Sequence, residues 1–225
     1  MSNKEPILIV MLTYHDRTVK NADEIFEKCK NSNASFWGMK EEGLPLNEMK
    51  MLFSKMKAYG KTTVLEVVAY TEKECLEGAK TAYECECDIL MGTMFYESVN
   101  NFCNLHGIKY MPFVGKVEGR PSVLRGSITD AINEAEMLIR KGVFGFDLLG
   151  YRYTDDSENL IRDFSSSVKS HICIAGSVDS FEKLDSIIKY KPWAFTVGGA
   201  FFDNKFGQEF NEQIKNVLDY IKNHI

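Results

Sequence analysis

The stretch Thr62–Tyr70, TTVLEVVAY, decides the fold. It is apolar on both of its alternating faces, as a strand of a parallel sheet covered on both sides must be; a strand with one wet face would alternate. Ile7–Thr13, ILIVMLT, repeats the pattern. Working outward from these two gives six more runs: Ser35–Lys40, Asp88–Thr93, Lys109–Val114, Val143–Gly150, His171–Gly176 and Trp193–Ala200. Eight such runs at a spacing of roughly 28 residues, each followed by a helix-patterned segment, predict an α/β fold, a (β/α)8 TIM barrel.

The helical segments are Asn21–Lys30, Leu46–Ala58, Thr71–Cys85, Ser98–Leu105, Ile128–Lys141, Ser157–Lys169, Ser180–Tyr190 and Gln208–His224. Their apolar residues recur at helical spacing, as Ile132, Ala135, Leu138 and Ile139 do. Asn47, Thr71, Ser127, Ser157 and Ser180 are suited to cap helix starts, while Gly60, Gly107 and Gly142 stand where helices should end in a left-handed residue. No linker or low-complexity stretch divides the chain, so a single barrel domain over residues 1–225 is expected.

The net charge of −5 is spread through the chain without a basic block, which gives nucleic acid or an anionic membrane no electrostatic footprint. No apolar run approaches the roughly 20 residues that cross a bilayer, and the start, MSNKEPILIV, has no signal-peptide pattern, so a cytoplasmic protein is expected. Six cysteines form no C-x-x-C motif, and four histidines form no H-x-x-x-H or H-E-x-x-H motif; neither a disulfide framework nor a metal site is expected. Of the histidines only His15 falls at the C-terminal end of a strand.

In a barrel of this kind the chemistry lies at the C-terminal ends of the strands. Glu66 interrupts an otherwise apolar core strand, and a carboxylate there must be paired or perturbed. Its natural partner is Lys40, which closes the neighbouring run FWGMK, provided that Glu66 points inward; the apolar run gives no alternation to fix its direction. A carboxylate beside an ammonium supplies a proton acceptor next to a cation able to stabilise an enolate oxygen, whereas the structural alternative is a buried ion pair that fixes register. Asp147, in VFGFDLLG, offers a second acid/base group from the far side of the ring, and Thr13 and Arg152 are placed to hold substrate oxygens. After the fifth run, residues 115–126 carry Lys116, Arg120 and Arg125 among three glycines, a composition suited either to a mobile lid touching an anion or to an ordinary surface loop.

The last quarter speaks to ligand. Gly176 and Ser177 close the seventh run and Gly198 and Gly199 the eighth, where loop N–H groups can meet phosphate oxygens. Cys173-Ile174-Ala175-Gly176-Ser177 followed by Trp193-Ala194-Phe195-Thr196-Val197-Gly198-Gly199-Ala200 resembles the closing half-barrel of the ribulose-phosphate-binding barrel superfamily, and its Val-Gly-Gly-Ala is most similar to the N-acylmannosamine-6-phosphate 2-epimerases. The resemblance implies a phosphate held by the backbone at Gly176, Ser177, Gly198 and Gly199. It does not carry over the catalytic set, since those epimerases are expected to have a lysine on the third strand, where this chain has Glu66, and a carboxylate near the seventh, where it has Ala175-Gly176-Ser177. A shorter echo, Trp37-Gly38-Met39-Lys40-Glu41, is similar to the Schiff-base strand end of pyruvate-dependent aldolases of the dihydrodipicolinate synthase type.

The leading expectation is an isomerase or epimerase that moves a proton next to a carbonyl in a phosphorylated sugar or sugar acid, without metal or organic cofactor. Glu66 and Asp147 would act as acid/base groups, with Lys40 and Lys116 on substrate oxygens. The alternatives are a class I aldolase with Lys40 or Lys116 as the Schiff-base nucleophile, and a non-catalytic barrel that binds a sugar phosphate. A homo-oligomer is expected by analogy with other barrels.

Overall fold

The computed structural model describes residues 5–225, and its strands are the eight apolar runs. They are β1 (Ile7–Met11), β2 (Phe36–Lys40), β3 (Thr62–Val67), β4 (Ile89–Gly92), β5 (Lys109–Met111), β6 (Gly145–Leu148), β7 (His171–Ile174) and β8 (Ala194–Val197). All neighbouring pairs are parallel, and the strands lie in the order β6-β7-β8-β1-β2-β3-β4-β5. The ring nearly closes between β5 and β6, where Phe113 bridges Asp147 and the Asp147 and Phe144 amides donate to the carbonyls of Pro112 (3.0 Å) and Tyr110 (2.9 Å). The chain is therefore a TIM barrel, as its periodicity predicts.

Alternation along the strands separates two cores. Ile9, Met11, Val64, Ile89, Met91, Met111, Cys173 and Ala194 fill the interior, while residues of opposite parity such as Val10, Leu65, Val67 and Phe146 pack outward against the helices. Glycine is required where interior strands crowd. A Cβ on Gly38 would stand 2.5 Å from Met11 Sδ and 2.9 Å from the Val64 carbonyl oxygen, and one on Gly145 would stand 2.2 Å from the His171 carbonyl oxygen.

The outer layer comprises α1 (Ala22–Cys29), α2 (Leu46–Ala58), α3 (Glu72–Glu84), α4 (Glu97–His106), α5 (Ile128–Arg140), α6 (Ser157–Ser167), α7 (Phe181–Tyr190) and α8 (Phe210–His224). Thr71 caps α3 in a reciprocal box with Glu74, and Ser127 and Ser180 accept hydrogen bonds from Asp130 and Lys183 amides. Two expected caps differ: α2 starts one residue after Pro45, ahead of Asn47, and Asp156 rather than Ser157 accepts the Asn159 amide at the start of α6. Among the described residues no helix is long and apolar enough to cross a membrane.

Two hairpins are added at the barrel mouth. Thr13–Tyr14 pairs antiparallel with Arg17–Thr18, and Lys116–Glu118 with Val123–Arg125.

Candidate active site

Glu66 points inward, because it lies two residues beyond Val64 on the interior face of β3. Lys40 is its direct register partner on β2, and Lys40 Nζ stands 3.0 Å from Glu66 Oε1. Both side chains are buried at the upper end of the barrel interior, where the strands open into a cavity of about 430 Å3. Met11, Thr13, Thr196 and Arg152 also line it.

A second carboxylate reaches the same ammonium. Asp16 Oδ1 lies 2.6 Å from Lys40 Nζ and 3.4 Å from Arg152 Nη1. Asp16 and His15 form the turn of the hairpin after β1, with φ of 63° and 47°. Two successive left-handed residues make the tight turn that matches strand twist, but glycine or asparagine is the usual occupant. The backbone is thus held in a conformation that disfavours side chains by about 1–2 kcal/mol per residue in general, less for Asp, and that fixes the carboxylate over the cavity. The base of the hairpin is tied down: Thr18 Oγ1 donates to the Lys40 carbonyl (2.8 Å) and accepts from its amide (2.9 Å).

The electrostatics follow from this arrangement. Burial pushes the Lys40 ammonium down, but Glu66 and Asp16 more than offset it and hold its pKa above the ordinary lysine value. Burial pushes the Asp16 carboxyl up, and Lys40 and Arg152 outweigh it, leaving it below the usual carboxylate range. Asp147 behaves in the opposite way. It lies on the interior face beside Cys173, it is 1% exposed, and neither carboxyl oxygen has a hydrogen-bond partner in the protein. Burial and then the charge of Glu66 raise its pKa well above the usual range, against the pull of Lys40, Arg152 and the Gly92 backbone.

The residues marked in the sequence divide into three groups. Lys40, Glu66, Thr13, Arg152, Gly176, Ser177, Gly198 and Gly199 line one cavity. Asp147 is buried and is not among its lining residues, and β6 is three strands from β3 rather than across the ring. Lys116, Arg120 and Arg125 do not line it either. Val117 and Leu124 turn inward on the 116–125 hairpin, so the alternate residues Lys116 and Arg125 are exposed, with Arg125 Nε 2.5 Å from Glu118. Arg120 is spent on Glu41 (2.6 Å), Glu42 (3.0 Å) and the Val68 carbonyl (3.0 Å). The segment read as either a lid or a loop is a pinned hairpin, to which only Pro121 contributes cavity wall.

The glycines also serve the site in ways the sequence did not show. Gly176 gives room to Arg152, whose Cγ would lie 2.8 Å from a Cβ there, and Gly198 gives room to the Thr13 hydroxyl, 2.7 Å away. Gly199 is open: a Cβ would meet only Tyr14 Cδ2, at 3.7 Å. The rim carries charge of both signs, with Asp203 accepting from Tyr14 (2.8 Å), Asp179 paired to Lys183 (2.8 Å), and Lys205 exposed. His15 lines the cavity, as its position at a strand end suggests. Among the described residues no cluster of three metal-ligating side chains occurs, and all six cysteines are buried free thiols.

Solved structures with this architecture include N-(5'-phosphoribosyl)anthranilate isomerase from Pyrococcus furiosus, with a TM-score of 0.66 at 12% identity over 97% of this chain and 99% of that one. The fold is shared. The N-acetylmannosamine-6-phosphate 2-epimerase from Clostridium perfringens has a TM-score of 0.64 at 14% identity over 87% of each chain. The tryptophan synthase A-subunit from Pyrococcus furiosus has 0.65 at 12% over 97% and 98%. Isomerase, epimerase and synthase barrels therefore stand among the structural neighbours, at identities that establish architecture alone. No protein-family model matches the sequence, and no curated protein does.

Proposed function

We propose that the protein is an isomerase or epimerase that moves a proton at the carbon next to a carbonyl in a phosphorylated sugar or sugar acid. The observation that carries this reading is the Lys40 ammonium on the cavity wall, held by Asp16 at 2.6 Å and Glu66 at 3.0 Å. An ammonium so placed stabilises the negative oxygen of an enolate, and the carboxylate beside it accepts the proton from the adjacent carbon. Glu66 is assigned the role of base. The open backbone at Gly199, with Gly198, Gly176 and Ser177 lining the same cavity, is assigned the phosphate.

The Schiff-base alternative asks Lys40 for a neutral amine. Two carboxylates that hold its pKa above the ordinary lysine value act against that. Lys116, the other lysine considered, lies outside the cavity.

The test is incubation in D2O with a panel of phosphorylated sugars and sugar acids and their unphosphorylated counterparts, with proton NMR following loss of the C–H signal next to the carbonyl. Exchange confined to phosphorylated members is expected, and no adduct should form with borohydride. Trapping of a borohydride-stable adduct on Lys40 would replace this reading with the aldolase one.

A further inference from the structure

Lys40 and Arg152 approach one point in the barrel mouth from different elements, Lys40 from the end of β2 and Arg152 from the helical turn Gly150–Arg152 that follows β6. Both address the same atom, Asp16 Oδ1, at 2.6 and 3.4 Å. The other oxygen, Asp16 Oδ2, is buried and has no hydrogen-bond partner in the protein, on a side chain that is only 7% exposed. A carboxylate is thus already seated in the cavity, with one oxygen satisfied and the other not. It is delivered by a turn of two left-handed, non-glycine residues rather than by a relaxed strand or helix.

We infer that Lys40 and Arg152 form a binding site for the carboxylate of a 2-oxo or 2-hydroxy acid, and that Asp16 fills this site in the free protein and turns aside when such a ligand enters. The inference rests on reading the cavity as a substrate site, and within the proposed function it selects sugar acids over neutral sugars.

Three observations support it. Charge balance comes first: Lys40 and Arg152 face Asp16 and Glu66, so exchanging Asp16 for a ligand carboxylate leaves the cluster balanced, whereas a phosphate dianion would add a negative charge beside Glu66. The second is mechanical. Thr18 fastens the hairpin base to Lys40, and Tyr14 is tied to Asp203, so release needs a rotation of the Asp16 side chain and no opening of the hairpin. The third is geometric, because Lys40 Nζ bridges Asp16 and Glu66. A ligand carboxylate in the place of Asp16 sets the carbon that bears the acidic proton, the 2-carbon of a hydroxy acid or the 3-carbon of an oxo acid, within one or two bonds of the group that Lys40 ties to the base Glu66.

The experiment is calorimetric titration of the full chain with pyruvate, the neutral carbonyl compound dihydroxyacetone, and inorganic phosphate. The proteins are wild type, Asp16→Gly and Asp16→Gly combined with Lys40→Met. Glycine suits the turn, whose φ at this position is 63°. Pyruvate is expected to bind Asp16→Gly at least about tenfold more tightly than wild type, and to lose that gain when Lys40→Met is added. Dihydroxyacetone and phosphate should gain less than about threefold. Asp16→Asn, which preserves side-chain shape, serves as the second variant and should gain in the same order if Asp16→Gly fails to fold. Equal pyruvate affinity in wild type and both single variants, a gain for phosphate as large as for pyruvate, or a gain that survives Lys40→Met would overturn the inference. The readout needs no turnover. A gained pyruvate site without proton exchange would count against the isomerase reading alone, and exchange without the gain against this site alone.

Discussion

Lys40 and Glu66 occupy the same register position on adjacent strands, and Nζ and Oε1 meet at 3.0 Å inside the barrel rather than on its outer surface. Barrel interiors are normally filled by branched apolar residues, as the lower layers here are by Ile9, Val64 and Ile89. A charged pair in the layer above them is costly to desolvate. It is tolerated because Lys40 serves two carboxylates at once and Arg152 assists.

If Glu66 is the base, Glu66→Gln should slow any C–H exchange found with the sugar panel by about 10²–10⁴-fold while leaving ligand affinity within a small factor. Gln keeps the shape, and Lys40 retains Asp16 as a partner, so the fold should hold. Exchange that continues at the wild-type rate in the variant would remove Glu66 from the mechanism.

Lys40→Met tests the cluster as structure. It leaves Asp16 and Glu66 buried without their shared cation, a loss of about 3–5 kcal/mol by the precedent of broken buried pairs. Adding Glu66→Leu removes one of the stranded carboxylates and should recover part of that loss in urea denaturation at pH 7. A double variant no more stable than Lys40→Met would mean that Glu66 is not strained by losing its partner.

The barrel and the Lys40–Glu66 partnership were legible because both depend on strand composition and adjacency, which survive without coordinates. The direction of Glu66 was not, since TTVLEVVAY is apolar at either parity; only the interior position of Val64 settles it. Asp16 escaped notice because its turn is His-Asp, without the Asn-Gly signal that marks tight hairpins. Lys116 was drawn into the site by its place after the fifth run, and Arg125 by the composition of the loop. The alternation of Val117 and Leu124 with charged neighbours was there to be read, but the strands are three residues long, too short for a period of two to stand out.

The 116–125 hairpin is held by Arg120 and by Tyr70, whose hydroxyl donates to the Gly119 carbonyl (2.6 Å) and meets Ser122 Oγ (2.8 Å). Arg120 is one-third exposed, so its ion pairs contribute little to global stability, roughly 1 kcal/mol or less. Arg120→Ala should therefore move the melting temperature by only about 2–4 °C while limited proteolysis within residues 118–123 becomes several-fold faster, about what a comparable cost in local opening gives. Equal cleavage rates in both proteins would show that the hairpin is held without Arg120.

Asp147 gives the sharpest pH signature in the molecule. Its carboxyl is buried and lies within the field of Glu66, so the fold raises its pKa well above the value of about 3.9 expected in the unfolded chain. The folded protein then keeps a proton that the unfolded chain gives up. The stability tied to this proton is complete below the unfolded pKa and is lost as pH rises towards the folded one, at up to about 1.4 kcal/mol per pH unit. Asp147→Asn removes the titration. The stability of the variant relative to wild type, from urea denaturation at each pH, should rise as pH increases above about 4, until the folded carboxyl ionises, and be flat below about pH 4. A difference independent of pH above about pH 4 would mean that Asp147 is ionised in the fold, with Lys40 or Arg152 neutralising it.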